Sequence, residues 1–234
     1  MSIYPLDRSA AESAAAVPSA RQIDLARTLG QPVAGPSAIW GVRPTHTSLM
    51  AVDICAFGER RDEDMQLHLR EKMYELLAET FRMTRLPWES AYREDRGDGA
   101  LIIMPPAVPA EALLDPLAHH LHALLRRANR YTSDTARLRV RVAVHSGDVH
   151  GDANGVAGHA VVLLFRLLDC RRFKRMLADS GADVGLIVSA SLYQETTHRA
   201  GFVDAVSYEP INVRRKETRA RAWVWLPPPG RAGR

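Results

Sequence analysis

Residues 94–106 read EDRGDGALIIMPP, four charges in five residues directly ahead of an apolar run that Pro105 and Pro106 stop. Asp98 stands between Gly97 and Gly99. The spacing predicts a tight hairpin turn joining two strands, over 88–94 and 100–106. A second reading makes Asp98 half of a cation site at the lip of a buried strand, and it needs another carboxylate. Upstream, SLMAVDICAF (48–57) is an apolar run broken by one acid, Asp53, and closed by Gly58. It reads as a buried strand whose lone carboxylate is costly unless a cation meets it.

Working outward, an amphipathic helix is expected over 63–83, with Leu69, Met73, Leu76, Leu77 and Thr80 at helical spacing. Asp115 and Pro116 read as cap and first position of a second helix with the stripe Leu117, Leu121, Leu124, Leu125. RLRVRVAVH (137–145) alternates, placing Leu138, Val140, Val142 and Val144 on one strand face. A third helix, apolar nearly all round, is expected over 159–169. A strand over 185–189, a short helix over 190–196 and strands over 207–213 and 220–226 complete the series. The order β-α-β-β-α-β, then α-β-α-β-β, predicts an α+β fold: a ferredoxin-like βαββαβ sandwich with a C-terminal α-β-β extension. Such a sheet sets its first strand beside the hairpin of the next two, so Asp53 and Asp98 become neighbours able to hold magnesium or manganese through oxygen.

Residues 1–45, rich in Ala, Ser and Pro, read as a flexible or loosely docked arm with at most a short helix over 21–30. The domain is expected over 46–228, with a tail at 229–234. The chain's 234 residues are 46% hydrophobic, enough for a real core. Cys55 and Cys170 lie in apolar surroundings, as reduced thiols of a cytoplasmic protein do. No membrane span or signal peptide is legible. The net charge of +4 and pI near 9.3 favour anionic partners, but the arginines are dispersed among acids, a weak pattern for nucleic acid.

The segments AVDICAFG, EDRGDGALI, LRVRVAVHSGDV, GVAGHAVVLLFRLLD and INVRRKETRARAWVW, taken in this order, resemble the motifs of class III nucleotidyl cyclases over about residues 47–227. The resemblance implies two Mn2+ or Mg2+ ions per site, held by Asp53, Asp98 and the backbone carbonyl of Ile54. The loop 55–58, with Phe57, would face the triphosphate with its amides. Arg166, the only charge between Ala160 and Leu168, matches the family's transition-state arginine in an Asn-x-x-x-Arg motif whose asparagine place is Val162. That departure removes a polar group expected to orient the ribose. By its residues alone, Arg166 also reads as an arginine whose stem lies along the core. Lys216, with Arg214 and Arg215 beside it, matches a lysine that meets the phosphates, and as a bare sequence it is equally a solvated turn.

Glu94 stands where adenylyl cyclases carry lysine and guanylyl cyclases glutamate. A carboxylate only accepts, so it selects bases that present N–H donors. The partner base-reading place is Gly155, without the Asp or Cys of purine cyclases. With its small free-standing form, the chain thereby resembles the pyrimidine cyclases of bacterial antiphage (Pycsar) systems. UTP is the first expectation, with CTP and GTP open. The same resemblance implies a homodimer with sites at the interface, Arg166 serving the partner's site, and a separate effector responsive to the cyclic nucleotide. Two rival classes stand beside this one: a catalytically degenerate nucleotide sensor, and a nucleic-acid-binding ferredoxin-like module. HHLH (119–122) lacks a complete zinc-ligand set, and Trp223 and Trp225 share a strand face suited to packing first and to stacking bases second.

Overall fold

Strand alternation sorts the core into two layers. On β1 (Thr45–Ile54), Met50, Val52 and Ile54 enter one cluster, while Leu49 and Ala51 enter the other. The first cluster lies under α1 (Glu63–Met83) and α2 (Leu117–Ala128), which contribute Leu69, Met73, Leu77, Phe81, Leu117, Leu121 and Leu125. The second lies under α3 (His159–Leu168) and α4 (Arg171–Ser180), which contribute Leu164, Leu167 and Phe173. The sheet between them is made of β1, β2 (Tyr92–Asp95), β3 (Gly99–Ile103), β4 (Val140–Asp152), β5 (Gly155–Ala157), β6 (Val184–Ser189), β7 (Tyr208–Arg215) and β8 (Thr218–Trp225). A further helix, α5 (Ala190–His198), follows β6.

The computed structural model describes residues 44–59, 61–152, 154–198 and 204–228. The helix expected over 21–30, nearly all of the arm and the tail at 229–234 lie outside the described residues. The strand order is β2-β3-β1-β4-β6-β8-β7, with β5 paired to β4. Its first four strands have the order and antiparallel neighbours of the expected ferredoxin-like unit, and β6 joins β4 in parallel. All residues of β6 are buried, as befits a strand covered on both sides. Leu138, Val140, Val142 and Val144 share one core cluster, as their alternation predicts.

Several boundaries differ from expectation. The first strand ends at Ile54, and 55–58 turn towards α1. Residues 88–90 are not strand: Trp88 packs edge-on against Phe81 (4.9 Å), and Pro87 accepts a bond from the Ala91 amide (3.1 Å), which delays β2 to Tyr92. Asp115 is not the cap of α2; Pro116 holds that place without a side-chain cap bond. The strand expected over 137–145 starts at Val140 and runs on to Asp152, because Val149 is buried and pairs with Thr45. α4 and β5 were not expected. Among the described residues no helix is long and apolar enough to cross a membrane.

Candidate active site

The hairpin 94–106 closes where the Arg96 amide donates to the Gly99 carbonyl (2.9 Å), leaving Gly97 and Asp98 as the turn. Gly97 takes φ +83°, at the turn position that type II′ hairpins give to glycine. Gly99 has a different reason. A Cβ there would sit 2.1 Å from the Val52 carbonyl oxygen, so only glycine lets β3 pass this close to β1. Gly99 is also the cross-strand partner of Asp53, and the Ile54 amide donates to the Asp98 carbonyl (2.8 Å). The backbones of the expected ligands Asp53, Ile54 and Asp98 are thereby fixed against one another. Asp95 anchors the turn from below: it accepts from the Tyr74 hydroxyl (2.7 Å), the Gly97 amide (2.8 Å) and Arg70. Burial acts to raise its carboxyl, but these bonds outweigh it and hold the group below the usual range.

Asp53 and Asp98 line one cleft of about 280 Å³ with Arg96, Phe165, Arg166 and Asp169. Asp53 follows Leu49 and Ala51 on the α3 side of β1, and its opposite number on β4 is Arg141. The Arg141 guanidinium grips both carboxylate oxygens of Asp53, at 2.7 and 2.8 Å. Burial pushes the Asp53 carboxyl up, against the pull of Arg141, and Asp98 adds to the rise. Arg141 is a site residue that the sequence reading missed.

Arg166, on the last turn of α3, bonds Glu217 of the β7–β8 turn (3.2 Å), while its buried Nε has no hydrogen-bond partner. The resemblance gives Arg166 to a partner's site; in the single chain it lines the same cleft as Asp53 and Asp98. Asp169, just beyond α3, accepts from Arg215 (2.7 Å) and from Lys174, so α3, α4 and the β7–β8 hairpin are tied at one point. Lys216 sits exposed in that hairpin turn with φ +49°, rare for a residue with a side chain. Phe57 packs partly against the core from the loop 55–58, where Ala56 has φ +54°. Arg61 holds this loop by the carbonyls of Cys55 and Ala56, each at 3.1 Å. The N-terminus of α1 is already served by the Asp62 side chain, with Glu63 and Asp64 beside it, so the helix end itself is unsuited to phosphate.

Glu94 is held from two sides, by the Tyr92 hydroxyl (3.0 Å) and Arg96 (3.1 Å). Burial and the bond to Glu94 push the Tyr92 phenol up to about 12, so it stays a donor. Arg96 in turn lies over the Phe165 ring, 5.0 Å from its centroid. Gly155 faces this group: a Cβ on it would lie 3.9 Å from a Glu94 carboxylate oxygen and 3.7 Å from the Tyr92 hydroxyl. The two expected base-reading places are therefore neighbours. Val162 projects from the outer face of α3, 46% exposed, with Leu163 and Phe165 half-buried along the same helix.

Similar folds occur among solved structures. An adenylate/guanylate cyclase/hydrolase from Silicibacter pomeroyi matches with a TM-score of 0.55 and 19% identity, over 80% of this chain and 99% of its own. The chain has the class III cyclase fold. A bacterial light-regulated adenylyl cyclase matches at 0.53 and 11% identity, over 77% of this chain and 90% of its own. A dimeric guanylyl cyclase domain of the RhoGC fusion protein from the aquatic fungus Blastocladiella emersonii matches at 0.51 and 16%, over 79% and 98%. No family model and no curated protein matches the sequence. In this fold Asp53 lies on the first strand and Asp98 in the turn of the hairpin beside it.

Proposed function

We propose that this chain is a nucleotidyl cyclase that converts a nucleoside triphosphate, UTP first among them, to its 3′,5′-cyclic monophosphate and pyrophosphate. The observation that carries the reading is the meeting of Asp53, Asp98 and Arg166 in one cleft of a cyclase fold. Among the described residues no cluster of three or more His, Cys, Asp or Glu is placed to hold a metal ion. Two carboxylates nevertheless suit Mg2+ or Mn2+, which take few protein ligands and fill the rest with water and substrate phosphates. The Arg141 clamp uses two of the roughly four lone-pair sites of Asp53 and leaves the others to a cation. Asp53, Asp98 and the Ile54 carbonyl would hold the two ions. When bound, these would polarise the triphosphate and favour the ionised 3′-hydroxyl.

The 3′-hydroxyl gives up its proton to water, its oxygen bonds to the α-phosphorus as the bridge to the β-phosphate breaks, and pyrophosphate leaves with that bridging oxygen. Arg166, which lines the cleft, would neutralise charge developing on the phosphoryl oxygens. Lys216 would meet the leaving phosphates. Glu94, its oxygens aimed by Tyr92 and Arg96, would accept from the N–H of the base. Gly155 opposite adds no second reading group, which supports a pyrimidine. With Val162 in the asparagine place, the ribose is oriented by other contacts.

A homodimer whose sites use Arg166 and Lys216 of the second protomer rests on the class III resemblance, with Val162 exposed on α3 in its support. A second reading, with each site complete in one chain, is favoured by Arg166 lining its own cleft. A role in antiphage defence through a separate effector rests on the Pycsar resemblance. The test is incubation with Mn2+ and each of the four triphosphates, read by mass spectrometry. Cyclic UMP with pyrophosphate is expected. Cyclic GMP as the main product would overturn the pyrimidine reading alone, and no cyclic product from any substrate would overturn the whole.

A further inference from the structure

A second cleft, of about 420 Å³, shares no lining residue with the first. Its walls are the C-terminal part of α2, the turn between α4 and β6, and Pro227 and Pro228 beyond β8. His122, Arg126 and Arg130 are spaced four apart along one side of α2 and the turn after it, and Arg137 faces them from the approach to β4. The one acid in the lining, Asp183, is already taken by Arg137 at 2.6 Å. Arg126 and Arg130, both exposed, have no ion-pair partner among the described residues, and Arg130 lies over the Tyr131 ring, 5.1 Å from its centroid. The carbonyl end of a helix favours cations in its last turn, which accounts for Arg126 within α2. It does not account for Arg130, beyond the helix, or for the convergence of a third guanidinium. Like charges four apart also repel. His122 lines the cleft beside them, its ring edge-on to Trp225 with 6.4 Å between centroids.

We propose that this cleft binds the phosphate group of a small phosphorylated ligand. A phosphate monoester carries nearly two negative charges at neutral pH and three strong acceptor oxygens, matching two guanidinium groups that no carboxylate among the described residues meets. The volume admits a nucleoside monophosphate, with the two prolines as an apolar wall. Free phosphate and a phosphorylated metabolite share this chemistry, and the experiment separates them.

Histidine ring resonances of the full chain, with His122 assigned by its loss in His122→Gln, are followed while inorganic phosphate, AMP or sodium chloride is added at matched ionic strength. Phosphate or AMP should move the His122 signal saturably, and chloride should not. AMP binding at least tenfold tighter than phosphate marks a metabolite site; equal affinity marks a site for the phosphate group alone. Arg126→Gln with Arg130→Gln should weaken either ligand at least tenfold. Arg130→Gln by itself, outside the helix, should weaken it severalfold with an unchanged melting temperature. No saturable shift, an unchanged affinity in both variants, or a shift given only by an oligonucleotide would overturn the proposal.

Discussion

Asp53 and Asp98 line one cleft, yet they are held differently, and their variants should separate. Asp53 is gripped by Arg141, and both side chains are largely buried (17% and 15% exposed). Asp53→Ala strands that guanidinium, so it should abolish cyclisation and also destabilise the fold by about 3 kcal/mol, as breaking one side of a buried pair does. Asp98 is exposed at the turn and repels Asp53, so Asp98→Ala should abolish cyclisation with an unchanged or raised melting temperature. Turnover by mass spectrometry and melting curves check both; full activity in either variant sinks the two-carboxylate site. Glu94→Lys should change which triphosphate is consumed more than it changes stability, since donors replace acceptors. An unchanged preference among four substrates removes Glu94 from base reading. At this scale three of the residues that meet in the cleft stood out in the sequence: Asp53 in an apolar run, Asp98 between glycines, Arg166 in an apolar helix. Arg141 was hidden because Arg137, Arg139 and Arg141 alternate identically along 137–141, and only the register opposite Asp53 singles one out.

Elements hold these residues through two tight joints. Gly99→Ala would drive a methyl into the Val52 carbonyl, backbone against backbone, where neither side can yield by changing a rotamer. It should cost about 3 kcal/mol or more in denaturant unfolding and remove activity with it. A wild-type midpoint would show that the strands have room. The joint between β4 and α5 is His145, buried and bonded to Ser189 at 2.8 Å, with Ser189 also accepting from the Leu192 amide. Burial, aided by the charge of nearby His46, lowers the His145 ring to about 4. The folded value lies below the unfolded one, so the unfolded chain binds the extra proton. Stability should therefore fall as pH drops from about 6.5 towards 4, by about 3 kcal/mol, and His145→Gln should flatten that decline. Equal pH slopes in both proteins would exclude His145 as the cause. The hairpin and the alternating face of β4 were readable because glycine placement and a two-residue period are local signals. α4 carries Phe173, Met176 and Leu177 at helical spacing, but its charges hide that stripe; β5 is held only by pairing with β4.

For the whole molecule, the order of the first four strands followed from the order of elements, since the chain closes a ferredoxin-like unit before adding its extension. What one chain's sequence does not carry is the assignment of a side chain to its own cleft or a neighbour's, because that depends on a symmetry axis. Mixed dimers decide it. Asp98→Ala and Arg166→Ala should each be nearly inactive. Co-folded in equal amounts, about half of the dimers are mixed, and a site shared between chains leaves one intact site in each, returning activity to about a quarter of wild type. Mixed dimers as inactive as their parents would assign Arg166 to the cleft it lines in its own chain.

The nearness of Gly155 to Glu94 makes the two positions an epistatic pair. A side chain at 155 would meet the Glu94 carboxylate and the Tyr92 hydroxyl within van der Waals contact, on a backbone at φ +131° that resists any residue but glycine. Changes at the two places will not add. The effect of Glu94→Lys should therefore depend on what stands at 155, and single and double variants of the two places, compared side by side, would measure that coupling.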